Sequence, residues 1–290
     1  GQRARPGQRA RPGQRARPGQ RARPGQRARP GQRARPGRVR RPPDPAWACD
    51  PYADALRAGR GPLFLRRGDG WMLPLEVERW CARADEVALQ VLERCEGAVL
   101  DVGCGPGRLV AELAARGRPV LGVDVSRAAV ARTRRLGGQA TLTRSVFEPL
   151  PGEGRWDTGL LLDGNLDIGG DPATLLCRLA QLLCSGGLLI AETVPVDVDE
   201  RAEGHLVGGA GPEAGAEAAF PWARLGTPAL LRHALPLGWC AADQWSAGGR
   251  SFVALRARST SSSAEPPNSR AVISSQRPRK PPPDIPVADA

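Results

Sequence analysis

The sequence predicts an α/β fold with a mostly parallel sheet, and three observations predict it. Between residues 98 and 258, short apolar runs alternate with stretches of helical spacing, the signature of strand and helix units feeding one sheet. The first of these runs passes directly into a glycine turn and a helix start. The last two are separated by Gly248-Gly249, the turn chemistry of an antiparallel pair.

The elements follow in order. A helix around Glu76–Cys95 enters strand one at Ala98–Val102, and Leu109–Arg116 supplies the next helix. Strand two is Val120–Val123, followed by a helix at Arg127–Leu136, strand three at Ala140–Arg144, strand four at Thr158–Leu162 and a helix at Ala173–Leu183. Strand five is Leu188–Thr193; residues 196–226 read as irregular; Pro228–Leu235 is a helix, and Trp239–Trp245 with Ser251–Leu255 form the terminal antiparallel pair. The chain divides into a hexapeptide-repeat tail (1–41), an N-terminal helical cap (42–97), the α/β domain (98–258) and a second tail (259–290).

Charge is distributed to match that division. Residues 1–41 hold 15 arginines and no acid, whereas 42–258 hold 23 basic and 27 acidic residues, so the net charge of +12 belongs to the tails. A basic binding face on the domain is not implied. Residues 1–36 are six copies of Gly-Gln-Arg-Ala-Arg-Pro, too poor in apolar side chains to bury a core, and both tails are expected to be disordered. Two readings stand for the repeat: a polycationic arm that holds nucleic acid or an anionic membrane surface through phosphate contacts, or a tandem nucleotide repeat translated from upstream of the true start. Seven scattered cysteines without a Cys-x-x-Cys pair point away from a zinc clip and toward a reducing, cytoplasmic setting, and no metal is expected. No run approaches the roughly 18 apolar residues of a membrane span.

The chemistry begins at Gly103-Cys104-Gly105-Pro106-Gly107. Glycines at a strand-to-helix turn serve where backbone angles forbid a Cβ or where a ligand comes close, and the helix amides beyond offer donors to an anionic group. A dinucleotide fingerprint needs glycine three positions after its second one; that position is Arg108, so the spacing fails for NAD. Asp124 stands at the end of strand two, where a carboxylate either accepts from both hydroxyls of a ribose or caps the following helix.

The loop, Asp124, and Leu182–Glu192 together resemble class I S-adenosylmethionine-dependent methyltransferases, over residues 99–256. The resemblance implies a Rossmann-like, seven-stranded, mostly parallel sheet in the order 3-2-1-4-5-7-6, with S-adenosyl-L-methionine as cofactor. It places Asp101, Gly103, Cys104, Gly105 and Gly107 around the methionine part, Asp124 at the ribose, and Val125 against the adenine. Ser145-Val146 falls where the family has an acid for the adenine amino group, and serine there is a departure. Cys104 reads as small packing in preference to a nucleophile.

The acceptor is less legible. Asp163, after strand four, is read either as helping hold the cofactor or orient a nucleophile, or as a turn cap. His205 is a candidate base and His233 reads as a surface residue. Trp71, Trp80, Phe220 and Trp222 are either pocket walls or ordinary core. The leading expectation is methyl transfer to a small molecule. A nucleic-acid methyltransferase or binder using the arm, and a non-catalytic cofactor-binding protein of the same fold, are the alternatives.

Overall fold

A tight turn at Arg67–Gly70, with Gly70 at φ +87°, folds β1 (Leu63–Arg67) onto β2 (Met72–Pro74), just after a first helix, α1 (Asp50–Ala58). These elements open the part of the chain that the computed structural model describes, residues 50–208 and 219–258. The tails expected to be disordered lie outside the described residues. Two helices follow, α2 (Val77–Cys81) and α3 (Glu86–Glu93). They replace the single helix expected at Glu76–Cys95, because the Asp85 carboxylate accepts from the Ala88 N–H at 2.7 Å and starts a new helix. The 42–97 segment is therefore not purely helical: β1 and β2 lie inside it.

The central strands are covered on both sides, and their sequences show why. β3 (Val99–Val102) sends Leu100 and Val102 to one face and Val99 to the other, all fully buried. The glycine loop leads into α4 (Arg108–Ala115), then β4 (Val120–Asp124), α5 (Arg127–Arg135), β5 (Thr141–Thr143) and β6 (Trp156–Leu161). Ser126 caps α5 through the Ala129 N–H, and Asp171 caps α6 (Pro172–Leu182) through Thr174, with Pro172 in the first turn. β7 (Leu183–Thr193) starts earlier than expected because Gly186, at φ +76°, lets the strand pass through an irregular register.

Residues expected to be irregular contain β8 (Asp199–Gly208) and β9 (Phe220–Leu225). Their signal was hidden because the first half of β8, Asp-Glu-Arg-Ala-Glu, has no apolar alternation. The chain ends in α7 (Thr227–Ala234), β10 (Trp239–Ala247) and β11 (Arg250–Ala257).

Two sheets result. The larger has the order β10-β11-β7-β6-β3-β4-β5, in which β3 to β7 pair in parallel and β11 runs antiparallel to β7. One of its faces packs Leu175, Leu176 and Leu179 of α6 and Leu230 of α7 around Trp156 and Trp239; the other packs Val91 and Leu92 of α3 and Leu109 and Leu113 of α4. The smaller sheet, β2-β1-β8-β9, is antiparallel throughout and shares an apolar cluster with Tyr52, Ala55 and Leu56 of α1. Among the described residues, no helix is long and apolar enough to cross a membrane.

Candidate functional site

A cavity of about 570 Å³ opens past the carboxyl ends of β3, β4 and β6, where open parallel sheets bind ligands, and the small antiparallel sheet roofs it. Asp101, Gly103, Cys104, Gly105, Asp124, Val125, Ser145, Val146 and Asp163 all line it.

The three glycines of the loop do different work. A Cβ on Gly103 would stand 2.7 Å from Asn165 Nδ2, and one on Gly107, at φ +87°, only 2.2 Å from Thr133 Cγ2. Both are demanded by the protein's own packing, and Gly107 is not among the cavity-lining residues. Gly105, at φ +53°, would meet nothing closer than the Tyr52 hydroxyl at 3.6 Å, so it is the glycine whose open side a ligand can use. Cys104 is buried under the loop, its Sγ within 2.9 Å of where a Gly122 Cβ would be, and burial pushes its thiol pKa well up. That is a packing position, with little thiolate for nucleophilic work.

Asp124 is held by the chain on both oxygens. Oδ2 accepts from the Gly105 N–H and Oδ1 from the Ser126 N–H, each at 2.8 Å, which leaves lone-pair capacity for a ligand. Burial raises its pKa to about 6 against the pull of these bonds. The helix itself is capped by Ser126, so Asp124 is not its cap. Asp101 is 2% exposed, burial raises its pKa to about 7, and its Oδ2 has no hydrogen-bond partner. Beside it Arg108, 5% exposed, has an equally unpartnered Nη1.

Asp163 lies in the turn after β6 at φ +59° and is committed to arginines. Its oxygens accept from Arg108 at 2.7 and 3.0 Å, Arg79 at 3.0 Å and Arg250 at 3.2 Å. Its own N–H donates to Glu192, which in turn holds Arg250 at 2.6 and 2.8 Å. Asp163, read from the sequence either as a cofactor or nucleophile contact or as a turn cap, thus lines the cavity with its carboxylate engaged by three arginines. Ser145 serves its local turn: its hydroxyl accepts from the Phe147 N–H, while Glu148 Oε2 accepts from the Ser145 N–H at 3.0 Å. Glu148 lines the cavity and so brings to this turn the carboxylate that Ser145 lacks.

Neither histidine is at the site. His205 sits on β8 opposite Arg66 and does not line the cavity; His233 pairs with Asp199 at 2.9 Å. Among the described residues no group of three His, Cys, Asp or Glu side chains is arranged to hold a metal. Sequence reasoning missed Arg108, Asp167, Glu148 and Tyr52, which all line the cavity. Arg108 was in view only as the residue that breaks a dinucleotide fingerprint, although an arginine opening a helix beside such a loop was itself a signal.

Residues 99–187 match the family model described as a methyltransferase domain. No curated protein matches the chain. Among solved structures, the chain is similar to a SAM-dependent methyltransferase from Bacteroides fragilis in complex with S-adenosyl-L-homocysteine, at 18% identity over 74% of this chain and 95% of that one, with a TM-score of 0.58. That likeness shows a common fold. A 1,6-didemethyltoxoflavin-N1-methyltransferase from Burkholderia thailandensis matches at 20% identity over 59% of this chain and 76% of that one, with a TM-score of 0.45.

Proposed function

We propose that this chain, whose residues 99–187 match a methyltransferase domain, is a class I S-adenosylmethionine-dependent methyltransferase that methylates a small molecule held between its glycine loop and its second sheet. One observation carries the reading: Asp101 Oδ2 lacks a donor and Arg108 Nη1 lacks an acceptor, side by side at the buried end of the cavity. A buried charged group with an atom left without a hydrogen-bond partner is costly, and an amino-acid zwitterion offers a donor to the one atom and an acceptor to the other. The ammonium and carboxylate of the cofactor's methionine part are such a pair.

The remaining assignments follow from what each group has left to offer. Asp124, fixed by two backbone N–H groups, presents its free lone pairs to the ribose hydroxyls. Gly105 keeps the loop side clear, and Val125, Ser145, Val146 and Glu148 form the adenine end. When bound, S-adenosyl-L-methionine supplies an electrophilic methyl on a sulfonium, whose neutral thioether leaves without needing a proton. The chain's part is then to position, to exclude water and to handle the acceptor's proton.

Calorimetric titration with S-adenosylhomocysteine tests this. The wild-type chain binds it, and Asp124→Ala and Arg108→Met each weaken binding by about tenfold or more, roughly 1.4 kcal/mol. No heat of binding at millimolar ligand rejects the cofactor. Binding that neither substitution weakens rejects the residue assignments.

A further inference from the structure

The acidic groups along the cavity are nearly all spoken for. Asp163 has three arginines, Glu192 has Arg250, Asp124 has backbone N–H groups, Glu148 has the Ser145 N–H, and Asp101, whose Oδ2 is unpartnered, is assigned above to the cofactor's ammonium. Asp167 differs. It is 8% exposed and lines the cavity, and among the described residues the only donor to its carboxylate is its own backbone N–H.

Its place in the fold connects the two ends of the cavity. Asp167 ends the short helical turn Asn165–Asp167. At the start of that turn, Asn165 Nδ2 donates to the carbonyls of Val102 and Gly103, tying it to the glycine loop. Just beyond it, Gly170 is pressed against β9, since a Cβ there would stand 2.2 Å from Pro221 Cβ. Asp167 thus sits in a turn tied at one end to the glycine loop and pressed beyond the other against β9, in a cavity that Leu65, Leu73, Leu75, Trp80, Phe220 and Trp222 also line.

The charged groups on the elements packed against this turn have other partners. Arg224 on β9 is held by Glu200 at 2.9 Å, and Glu192 on β7 by Arg250. On α6, Arg178 donates to the Val146 and Glu148 carbonyls and to Glu153, and the capping Asp171 accepts from Thr174. None of them neutralises Asp167. Burial raises its pKa to about 7, near the value at which a carboxylate works as a general base in neutral solution.

Resting on the cofactor reading above, we propose that Asp167 is the proton-accepting residue of the transfer, and that the acceptor is an apolar, aromatic-sized small molecule bearing an amine. An ionised carboxylate with no cation of its own, set among leucine and aromatic walls, is the complement of an ammonium on an apolar body. The ammonium gives one proton to Asp167, which frees its lone pair. That pair forms the carbon–nitrogen bond as the carbon–sulfur bond of the sulfonium breaks, and the breaking bond's electrons stay on sulfur. Asp167 then passes its proton to solvent, and no oxidant or reductant is needed.

The test uses the full chain saturated with S-adenosylhomocysteine, titrated with 2-phenylethylamine and tryptamine and with their neutral counterparts 2-phenylethanol and tryptophol. The amines bind about tenfold or more tightly than the alcohols at pH 7.5, a factor that conversion puts at about 1.4 kcal/mol. The preference grows from pH 6 to 8 as Asp167 ionises. Asp167→Asn abolishes the preference and leaves S-adenosylhomocysteine affinity unchanged, which also certifies its fold; Asp167→Glu restores part of the preference. In labelled-methyl transfer to these amines, Asp167→Asn lowers kcat by about 10²–10⁴-fold. Equal affinity for amines and alcohols, or a preference that survives Asp167→Asn, overturns this proposal alone. Failure of the wild-type chain to bind S-adenosylhomocysteine overturns the cofactor reading and this proposal with it.

Discussion

Neighbouring glycines in one loop respond differently to the same substitution. Gly107→Ala drives a Cβ into Thr133 and holds an L residue at φ +87°, so unfolding in denaturant should show a loss of about 1–3 kcal/mol. Adding Thr133→Ala should recover only part of the steric cost, because Thr133 Cβ itself would stand 2.5 Å from the new methyl. Gly105→Ala also holds an L residue at positive φ, +53°, but meets nothing closer than the Tyr52 hydroxyl at 3.6 Å, so its loss of stability should be smaller, while S-adenosylhomocysteine affinity should fall steeply because the new methyl stands on the proposed ligand side. The inverse pattern, stability lost at Gly105 and affinity at Gly107, would reverse these roles. Asp101 gives a pH signature. Its pKa, raised by burial to about 7, falls when an ammonium binds, so affinity for S-adenosylhomocysteine should rise from pH 5.5 to 8, by up to about tenfold per pH unit below that pKa. A flat profile by calorimetry would remove Asp101 from the ammonium site. At this scale the sequence was half legible. Asp101 and Asp124 sit at strand ends that the pattern marks, whereas Asp167 matters through having no partner, a property of three-dimensional surroundings.

Elements meet most tightly at the Asp163 and Glu192 cluster. It joins the turn after β6, the end of β7, the start of β11, α2 and the first residue of α4 through Arg250, Arg79 and Arg108. Arg250→Met takes the guanidinium from two carboxylates that are 12% and 18% exposed, and chemical unfolding should show a loss of about 3–5 kcal/mol. Glu192→Gln in the same chain should not add its full single-site cost, since the partners are coupled. The strands that form this cluster were legible because each is a short apolar run bounded by polar or glycine residues. β8 and β9 were not, since β8 shows a polar face to solvent and its pairing with β1 spans more than half of the described chain. No local period records a partner that distant. The split between α2 and α3 was legible in principle, because Asp85 is a favoured N-cap residue type inside an apparently continuous helix.

Taken as a whole, the molecule gathers Asp101, Asp124 and Asp167 around one cavity with pKa values raised by burial to about 7, 6 and 7. An acid whose folded pKa lies above its unfolded value contributes stability that is complete below the unfolded value and is lost as pH rises through the folded one. Without ligand, the melting temperature should therefore fall as pH is raised from about 4 to 8, by about 2–4 °C for each kcal/mol withdrawn. Saturating S-adenosylhomocysteine should raise the melting temperature more at pH 8 than at pH 5.5. A melting temperature that climbs steadily over that range would contradict the burial of these groups in their ionised form. The parallel sheet as a whole was legible from its alternating units, and the roof was not, because it is assembled from two separate stretches of sequence.

That two-piece roof bears on how the protein is made. β1 and β2 leave the ribosome early and can close on each other, but the other edge of β1 has no partner until β8 is synthesised, about 130 residues later. During that interval Leu63 and Leu65, which end fully buried, belong to a strand with an open hydrogen-bonding edge. The large sheet is being laid down in the same interval, and its last neighbours, β10 and β11, arrive only after β9. The cavity is therefore sealed late, over strands that have already been translated.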